Sequence, residues 1–111
     1  MRKAQHLTKV RKITSILHCG GVGVLPTDTL YGLVGSAFSK RTVQRIYKLR
    51  RRNPAKPMII LIGDISDLAS FGIRLSPQIK KILHRVWPGK VSVIIPLPRH
   101  QSLLRKFSLT Y

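Results

Sequence analysis

The sequence predicts an α/β fold on two observations. Three short apolar runs, Val22–Leu25, Met58–Ile62 and Val91–Ile95, are each bounded by glycine, proline or aspartate, as strands are. The segments between them repeat apolar residues every three or four positions, as helices do. Three strands make a thin sheet, so the pattern reads as an incomplete one.

The elements follow in order. Leu7, Val10, Ile13, Ile16 and Leu17 give the first segment helical spacing, with Lys9, Arg11 and Lys12 between them and Gly20-Gly21 as the stop. The strand Val22–Leu25 ends at Pro26 and opens into Thr27-Asp28-Thr29-Leu30-Tyr31. Gly32 to Phe38 reads only as a compact connection. Ser39 can cap a second helix whose inner face is Val43, Ile46, Tyr47 and Leu49. Pro54 and Pro57 then mark irregular backbone, so the charges from Arg50 to Lys56 line a loop. Met58–Ile62 is short enough for a strand buried on both faces, and Gly63-Asp64 ends it. A short helix containing Leu68 follows. Ser76-Pro77 supplies a cap and first turn for a helix to Val86, with Ile79, Ile82, Leu83 and Val86 inward. Trp87-Pro88-Gly89 is a turn, and Val91–Ile95 is the third strand. The expected organisation is one domain over residues 1–98 and a basic tail over 99–111, open to disorder.

Composition narrows the partners. The 111 residues suffice for one domain with a modest core, and a hydrophobic fraction of 43% is that of a folded chain. Lys and Arg number 21 against three acids, Asp28, Asp64 and Asp67, for a net charge of +18. That balance costs stability through self-repulsion and attracts polyanions: RNA, DNA, nucleotides or anionic surfaces. The single cysteine, Cys19, excludes an internal disulfide and is expected as a small buried residue. His6, His18, His84 and His100 lack ligand spacing, so no metal site is assigned. No apolar run approaches a membrane span, and the start Met1-Arg2-Lys3 does not lead into a signal sequence, so a cytoplasmic protein without membrane contact is expected.

Two clusters can do chemistry. Thr27, Asp28, Thr29 and Tyr31 can grip a small polar ligand through hydroxyls, or can simply satisfy the backbone of a turn. Arg50, Arg52 and Lys56 can converge on a polyphosphate, since alternate residues of extended backbone point the same way. They read equally as a solvated basic loop. Neither cluster pairs a nucleophile with a base, and there is no Walker-type loop.

Several segments together resemble a known family. Pro26-Thr27-Asp28-Thr29-Leu30-Tyr31-Gly32-Leu33, then Ile46-Tyr47-Lys48 leading to Arg50-x-Arg52 and Lys56-Pro57, the run Met58–Ile62, and Trp87-Pro88-Gly89 with Val91–Ile95 are similar in order and spacing to the YrdC/TsaC family of L-threonylcarbamoyladenylate synthases. The resemblance runs from about Ile13 to Pro96. It implies a YrdC-like twisted mixed sheet with flanking helices and a large basic cavity. It also implies a nucleotidyltransferase that joins L-threonine, bicarbonate and ATP into threonylcarbamoyl-AMP, with Mg²⁺ on the phosphates, for modification of tRNA by a downstream threonylcarbamoyl transferase.

Carried over by position, Thr29 matches the threonine contact, with Tyr31 beside it. Arg50, Arg52 and Lys56 match the ATP side, and Thr27 and Ser92 are weaker candidates. No catalytic residue is assigned. Arg50 replaces the family's usual Lys, and Leu61 stands where a His often helps hold threonine. The family continues into an Arg-x-Pro element and a Ser-x-Asn motif, and Arg99 to Tyr111 contains neither. The chain is therefore expected to be a truncated, N-terminal part of the domain, with activity in doubt. The alternative is an inactive RNA-binding remnant of the same fold, contacting tRNA or double-stranded RNA.

Overall fold

The computed structural model describes residues 1–27, 29–96 and 109–110. It is a mixed α/β chain divided into two compact units, Met1–Asn53 and Pro54–Tyr111.

The first unit opens with α1, Arg2–His18. It starts earlier than the apolar spacing suggested, because Arg2, Lys3, Ala4 and Gln5 are all good helix formers. Thr8 and Thr14 fit the interior by donating their hydroxyls to the carbonyls of Ala4 and Val10, both at 2.9 Å. The expected inner face does not form: no residue of α1 is buried. Leu7, Val10, Ile13 and Ile16 recur every third position, so each is rotated about 60° from the last and no single stripe results. Cys19, expected to be buried, is the exposed C-cap.

Glycine ends α1. Gly20, at φ +81°, donates its N–H to the Leu17 carbonyl, and Gly21 donates to Ile16. These are the paired bonds of a Schellman turn, which needs a left-handed residue at this point. A Cβ on Gly21 would lie 2.7 Å from the Ile16 carbonyl oxygen, so the second glycine permits the close exit.

Strand β1, Val22–Pro26, pairs antiparallel with β2, Tyr31–Gly35, in the register Val22↔Gly35 to Pro26↔Tyr31. The connection expected after Gly32 is therefore a strand. Two glycines in five residues dilute its β signal, and pairing with β1 supplies what propensity lacks. The polar loop thus joins two strands of a hairpin instead of leading from a strand into a helix.

Helix α2, Lys40–Leu49, is capped by Ser39, whose hydroxyl accepts from the Thr42 N–H. Val43, Ile46 and Tyr47 are buried as predicted, whereas Leu49 is exposed. Thr42, which the sequence did not single out, is buried and donates its hydroxyl to the Gly20 carbonyl at 2.8 Å. The helix carries no acid in its first turn and starts with Lys40 and Arg41. Cations there oppose the helix dipole, and the like-charged pairs Arg41/Arg45 and Arg45/Lys48 each cost about 0.2–0.5 kcal/mol.

In the second unit β3, Met58–Ile59, pairs in parallel with β4, Leu109–Thr110. The strand predicted over Met58–Ile62 is thus shorter. It is also covered on one side only, since Ile59 and Leu61 are exposed while Met58, Ile60 and Ile62 are half-buried. A continuous apolar run suggested burial of both faces, but the coverage alternates with period two. The predicted tail lies outside the described residues except where Leu109 and Thr110 form β4.

A 3₁₀ segment, Ile65–Phe71, follows, and then α3, Pro77–Val86, with the predicted Ser76 cap and Pro77 at its start. Leu68, Phe71, Ile73, Leu83 and Ile95 are buried in this unit. Of the four residues expected inward on α3, Leu83 is buried and Val86 half-buried, while Ile79 and Ile82 are exposed. Among the described residues no helix is long and apolar enough to cross a membrane.

Both described carboxylates hold the 3₁₀ segment. Asp64 accepts from the Ser66 N–H at 2.8 Å, and Asp67 accepts from the N–H groups of Gly63 and Asp64, each at 2.9 Å. The hydrogen bonds from Ser66 hold the Asp64 carboxyl below its ordinary range. Its contribution to stability is therefore present above the unfolded carboxylate pKa, about 4, and is lost as pH falls through the lower folded value. The thermal midpoint should decline on acidification from about pH 5, and the decline should be shallower in Asp64→Asn. Midpoints across that range for both proteins test this; parallel curves would refute it.

Candidate functional site

The polar loop is built by one hydroxyl. Thr27 donates its Oγ1–H to the Leu30 carbonyl and accepts from the N–H groups of Thr29, at 3.3 Å, and Leu30, at 3.2 Å. Its own N–H donates to the same carbonyl at 3.0 Å. Thr27 is thus engaged in shaping the turn, as threonine commonly is. Thr29, on the resulting loop, and Tyr31, the first residue of β2, are both exposed, Tyr31 at 76%. Asp28 lies outside the described residues.

The arginines sit on the end of α2. Arg51 donates its N–H to the Lys48 carbonyl and Arg52 donates to Tyr47, again the two bonds of a Schellman turn. The backbone here is helical at Arg50 (φ −84°, ψ −4°) and left-handed at Arg51 (φ +47°). The extended geometry that would have aligned Arg50 with Arg52 is therefore absent. Helix termination sets these angles, and it outweighs the tendency of a proline-rich stretch to extend.

The N–H groups of Arg50, Arg51 and Arg52 all serve helix carbonyls, so only their side chains can meet an anion. Arg50 and Arg51 are exposed; Arg52 is half-buried, with its Nε shielded from solvent. Cations at a helix C-terminus are favoured by the dipole, about 0.3–1 kcal/mol each at an exposed site. Sequence reasoning aligned Arg50 with Arg52 and gave Arg51 no role. The signal that could have marked it is a helix end with no glycine: α1 stops at Gly20, whereas α2 stops at Arg51.

Thr29, Tyr31, Arg50 and Arg52 share the first unit. The hairpin and α2 meet through Gly35, where a Cβ would lie 2.4 Å from Thr42 Cγ2 and 3.0 Å from Ile46 Cδ1. From that contact the hairpin loop is about 14 Å along β2, and Arg50 is about 12 Å along α2 from Thr42. Both clusters therefore lie at the free ends of packed elements.

The remaining candidates are in the second unit. Lys56 is exposed beside Pro57. Ser92 is exposed beyond the Trp87-Pro88-Gly89 turn, which is closed by the Trp87 indole N–H donating to the Val91 carbonyl at 2.7 Å. Gly89 permits that turn, since a Cβ would lie 2.7 Å from the Val86 carbonyl oxygen. The strand predicted over Val91–Ile95 reduces to a single bridge residue at Ile94. A run of β-branched residues carries propensity, but pairing decides, and among the described residues of this run only Ile94 is bridged. Leu61 is 60% exposed.

The chemistry available is that of hydroxyls and fixed positive charge. Asp64 and Asp67 are engaged in capping, and among the described residues no group of His, Cys, Asp or Glu could hold a metal ion. Such a set can bind and orient anions and stabilise developing negative charge.

Residues 15–109 match the family model Sua5/YciO/YrdC, described as "Telomere recombination". Relatives include a threonylcarbamoyl-AMP synthase of Hahella chejuensis, 34% identical over 80% of this chain and 48% of its own length. The mouse threonylcarbamoyl-AMP synthase is 33% identical over 78% of this chain and 30% of its own, and that of Bacillus subtilis 31% identical over 79% and 25%. No solved structure matches significantly. The chain thus spans between a quarter and a half of the length of these relatives. The matched span contains the hydroxyl loop, the arginine turn and the Trp87 turn in one frame, and the chain belongs to the Sua5/YciO/YrdC family.

Proposed function

We propose that this chain supplies threonine-binding and ATP-binding elements of a threonylcarbamoyl-AMP synthase. The observation that carries the reading is the pairing, within one unit, of an internally braced hydroxyl loop and a helix end bearing three arginines. The names of the relatives supply the reaction.

Threonine's amine and bicarbonate give a carbamate with loss of water. A carbamate oxygen then attacks the α-phosphorus of ATP, and the bond to pyrophosphate breaks, which makes the step a nucleotidyl transfer. Two anions must approach in line, so positioning and fixed cations matter more than a strong base. Thr29 and Tyr31 hold threonine on the loop that Thr27 braces. In the first unit Arg50 and Arg52 bind phosphate; Lys56 and Ser92 are the ATP-side candidates of the second unit. Mg²⁺ enters with ATP as part of the substrate, coordinated by phosphate oxygens, which suits an ion that keeps few protein ligands.

The product serves tRNA through a downstream threonylcarbamoyl transferase, in the cytoplasm. Residues 1–98 form the YrdC-like domain and 99–111 its basic tail. Purified protein supplied with radiolabelled threonine, bicarbonate and Mg-ATP should form a threonylcarbamoyl adenylate. Loss of that product together with retained, salt-sensitive tRNA binding would instead support an RNA-binding remnant, a reading favoured by the exposed cations of α2.

A further inference from the structure

Helix α1 has no role in the synthase reading, and none of its residues is buried. Leu7, Val10, Ile13 and Ile16 are exposed, from 37% at Ile13 to 59% at Leu7, and Leu17 is half-buried. The three-residue repeat that denies the helix a narrow inner stripe spreads these residues over one half of its circumference, about 180° from Ile16 to Leu7 with Leu17 near the middle. From Leu7 onward the other half holds Thr8, Arg11, Lys12, Ser15 and His18, with no large apolar side chain among them.

The charges stand in relation to that arc. Arg11 lies about 40° beyond Leu7 at one edge, and Lys12 about 40° beyond Ile16 at the other. Lys9, and Arg2 and Lys3 in the first turn, fall within the arc, and their long stems let the charge reach its margin. The helix contains no acid. Single exposed apolar residues are ordinary, but four on one half of one helix make a patch. What covers it must be apolar in its depth and anionic at its rim.

We infer that α1 lies in the plane of an anionic lipid surface, with Leu7, Val10, Ile13 and Ile16 towards the acyl chains and Arg11 and Lys12 at the phosphate headgroups. Apolar residues on one side and Lys or Arg on the other are what an interfacial helix requires. Thr14, which falls within the arc, donates its hydroxyl to the Val10 carbonyl and so brings no unpaired donor into the apolar layer. A second copy is disfavoured, because each chain carries a net charge of +18. Nucleic acid would meet the cations and leave the aliphatic arc in water. A groove on an acidic protein takes a narrow row of anchors, whereas an arc of half the circumference fits a planar medium. The absence of a spanning run led to the expectation of no membrane contact, but a helix that lies in the interface needs no such run.

The test is co-sedimentation of the full chain with vesicles of phosphatidylcholine, either alone or with about one-third phosphatidylglycerol. Binding to the anionic vesicles should be more than about tenfold tighter than to the neutral ones. Arg11→Ala and Lys12→Ala should each weaken it about fivefold, and Ile13→Asn about tenfold. Since no residue of α1 is buried, the thermal midpoints of these variants should match that of the parent, which separates loss of the surface from loss of the fold.

A second readout reports depth. In a Cys19→Ser background, a polarity-sensitive fluorophore attached through Ile13→Cys should shift to the blue on anionic vesicles, whereas the same label attached through Ser15→Cys, on the polar half, should not. Absence of vesicle binding would overturn the proposal, as would equal affinity for neutral and anionic vesicles or an equal response of the two labels. Binding abolished by salt with no shift of the Ile13 label would show attraction of the charged chain alone and overturn it too. The same shift on polyglutamate without lipid would assign the arc to an acidic protein instead. None of these measurements contains threonine, bicarbonate or ATP, so the synthase reading stands or falls separately.

Discussion

Replacing Arg52 by alanine is expected to weaken ATP binding by about 100-fold while changing threonine binding by less than about threefold. The first figure corresponds to roughly 2–3 kcal/mol, the range for losing a charge-assisted contact to phosphate from a partly desolvated guanidinium. Arg52 is chosen over its neighbours because its surroundings differ. Arg50 and Arg51 are exposed, whereas Arg52 is half-buried, with its Nε shielded from water. A side chain restrained in this way has less rotamer freedom to lose on binding, so more of its interaction appears as affinity.

Arg50→Ala should therefore cost less than Arg52→Ala. Isothermal titration of Mg-ATP and of threonine separately, with the thermal midpoint as a check on folding, measures the contrast. Equal losses for both ligands would remove the phosphate assignment and indicate a structural role for Arg52. Arg52→Lys is the informative conservative change. It keeps the charge but lacks the planar fork, so it should recover part of the affinity and not all.

How much of this could be read from the sequence depended on whether a feature was local. Ser39, and Ser76 with Pro77, announced two helix starts, and both serines cap as predicted. Those signals act over three residues and need no partner. The strands were harder, because pairing comes from elsewhere in the chain. Tyr31–Gly35 looked like a connection and is a strand, since Val22–Pro26 lies beside it. Val91–Ile95 looked like a strand and has only one bridge residue, at Ile94.

Burial showed the same division. The inner face of α2 was correct at Val43, Ile46 and Tyr47, where spacing matches one side of a helix, and wrong for α1, where a three-residue repeat winds around it. For the site, residue types were legible and backbone was not. The hydroxyls and arginines stood out by composition, but extended geometry was assumed for Arg50 to Arg52. Only the hydrogen bonds to Lys48 and Tyr47 reveal a helix end there.

The largest effect on stability is expected at Gly35, where the hairpin carrying the hydroxyl loop rests on the helix carrying the arginines. In Gly35→Ala the new Cβ would stand 2.4 Å from Thr42 Cγ2 and 3.0 Å from Ile46 Cδ1. The usual relief, rotation of the obstructing side chain, is closed to Thr42. Its hydroxyl donates to the Gly20 carbonyl at 2.8 Å and also lies 2.8 Å from the Ser39 hydroxyl, and its χ1 is restricted by β-branching.

Relief must therefore come either from breaking those hydrogen bonds in a buried place or from moving α2 off β2. Overpacking of this kind costs about 1–3 kcal/mol, and leaving a buried hydroxyl unsatisfied costs about as much. The expected fall in thermal midpoint is of the order of 10 °C for a chain of this size. Gly23→Ala is the matched control. It lies in the partner strand, where a Cβ meets nothing within 4 Å, and should leave the midpoint unchanged or slightly raised. If both variants melt together, the contact at Gly35 is not what joins hairpin to helix. If Gly35→Ala alone melts early, Thr42→Ser decides between the two sources of cost. It removes the obstructing methyl and keeps the hydroxyl, so the double variant Gly35→Ala/Thr42→Ser should recover most of the loss.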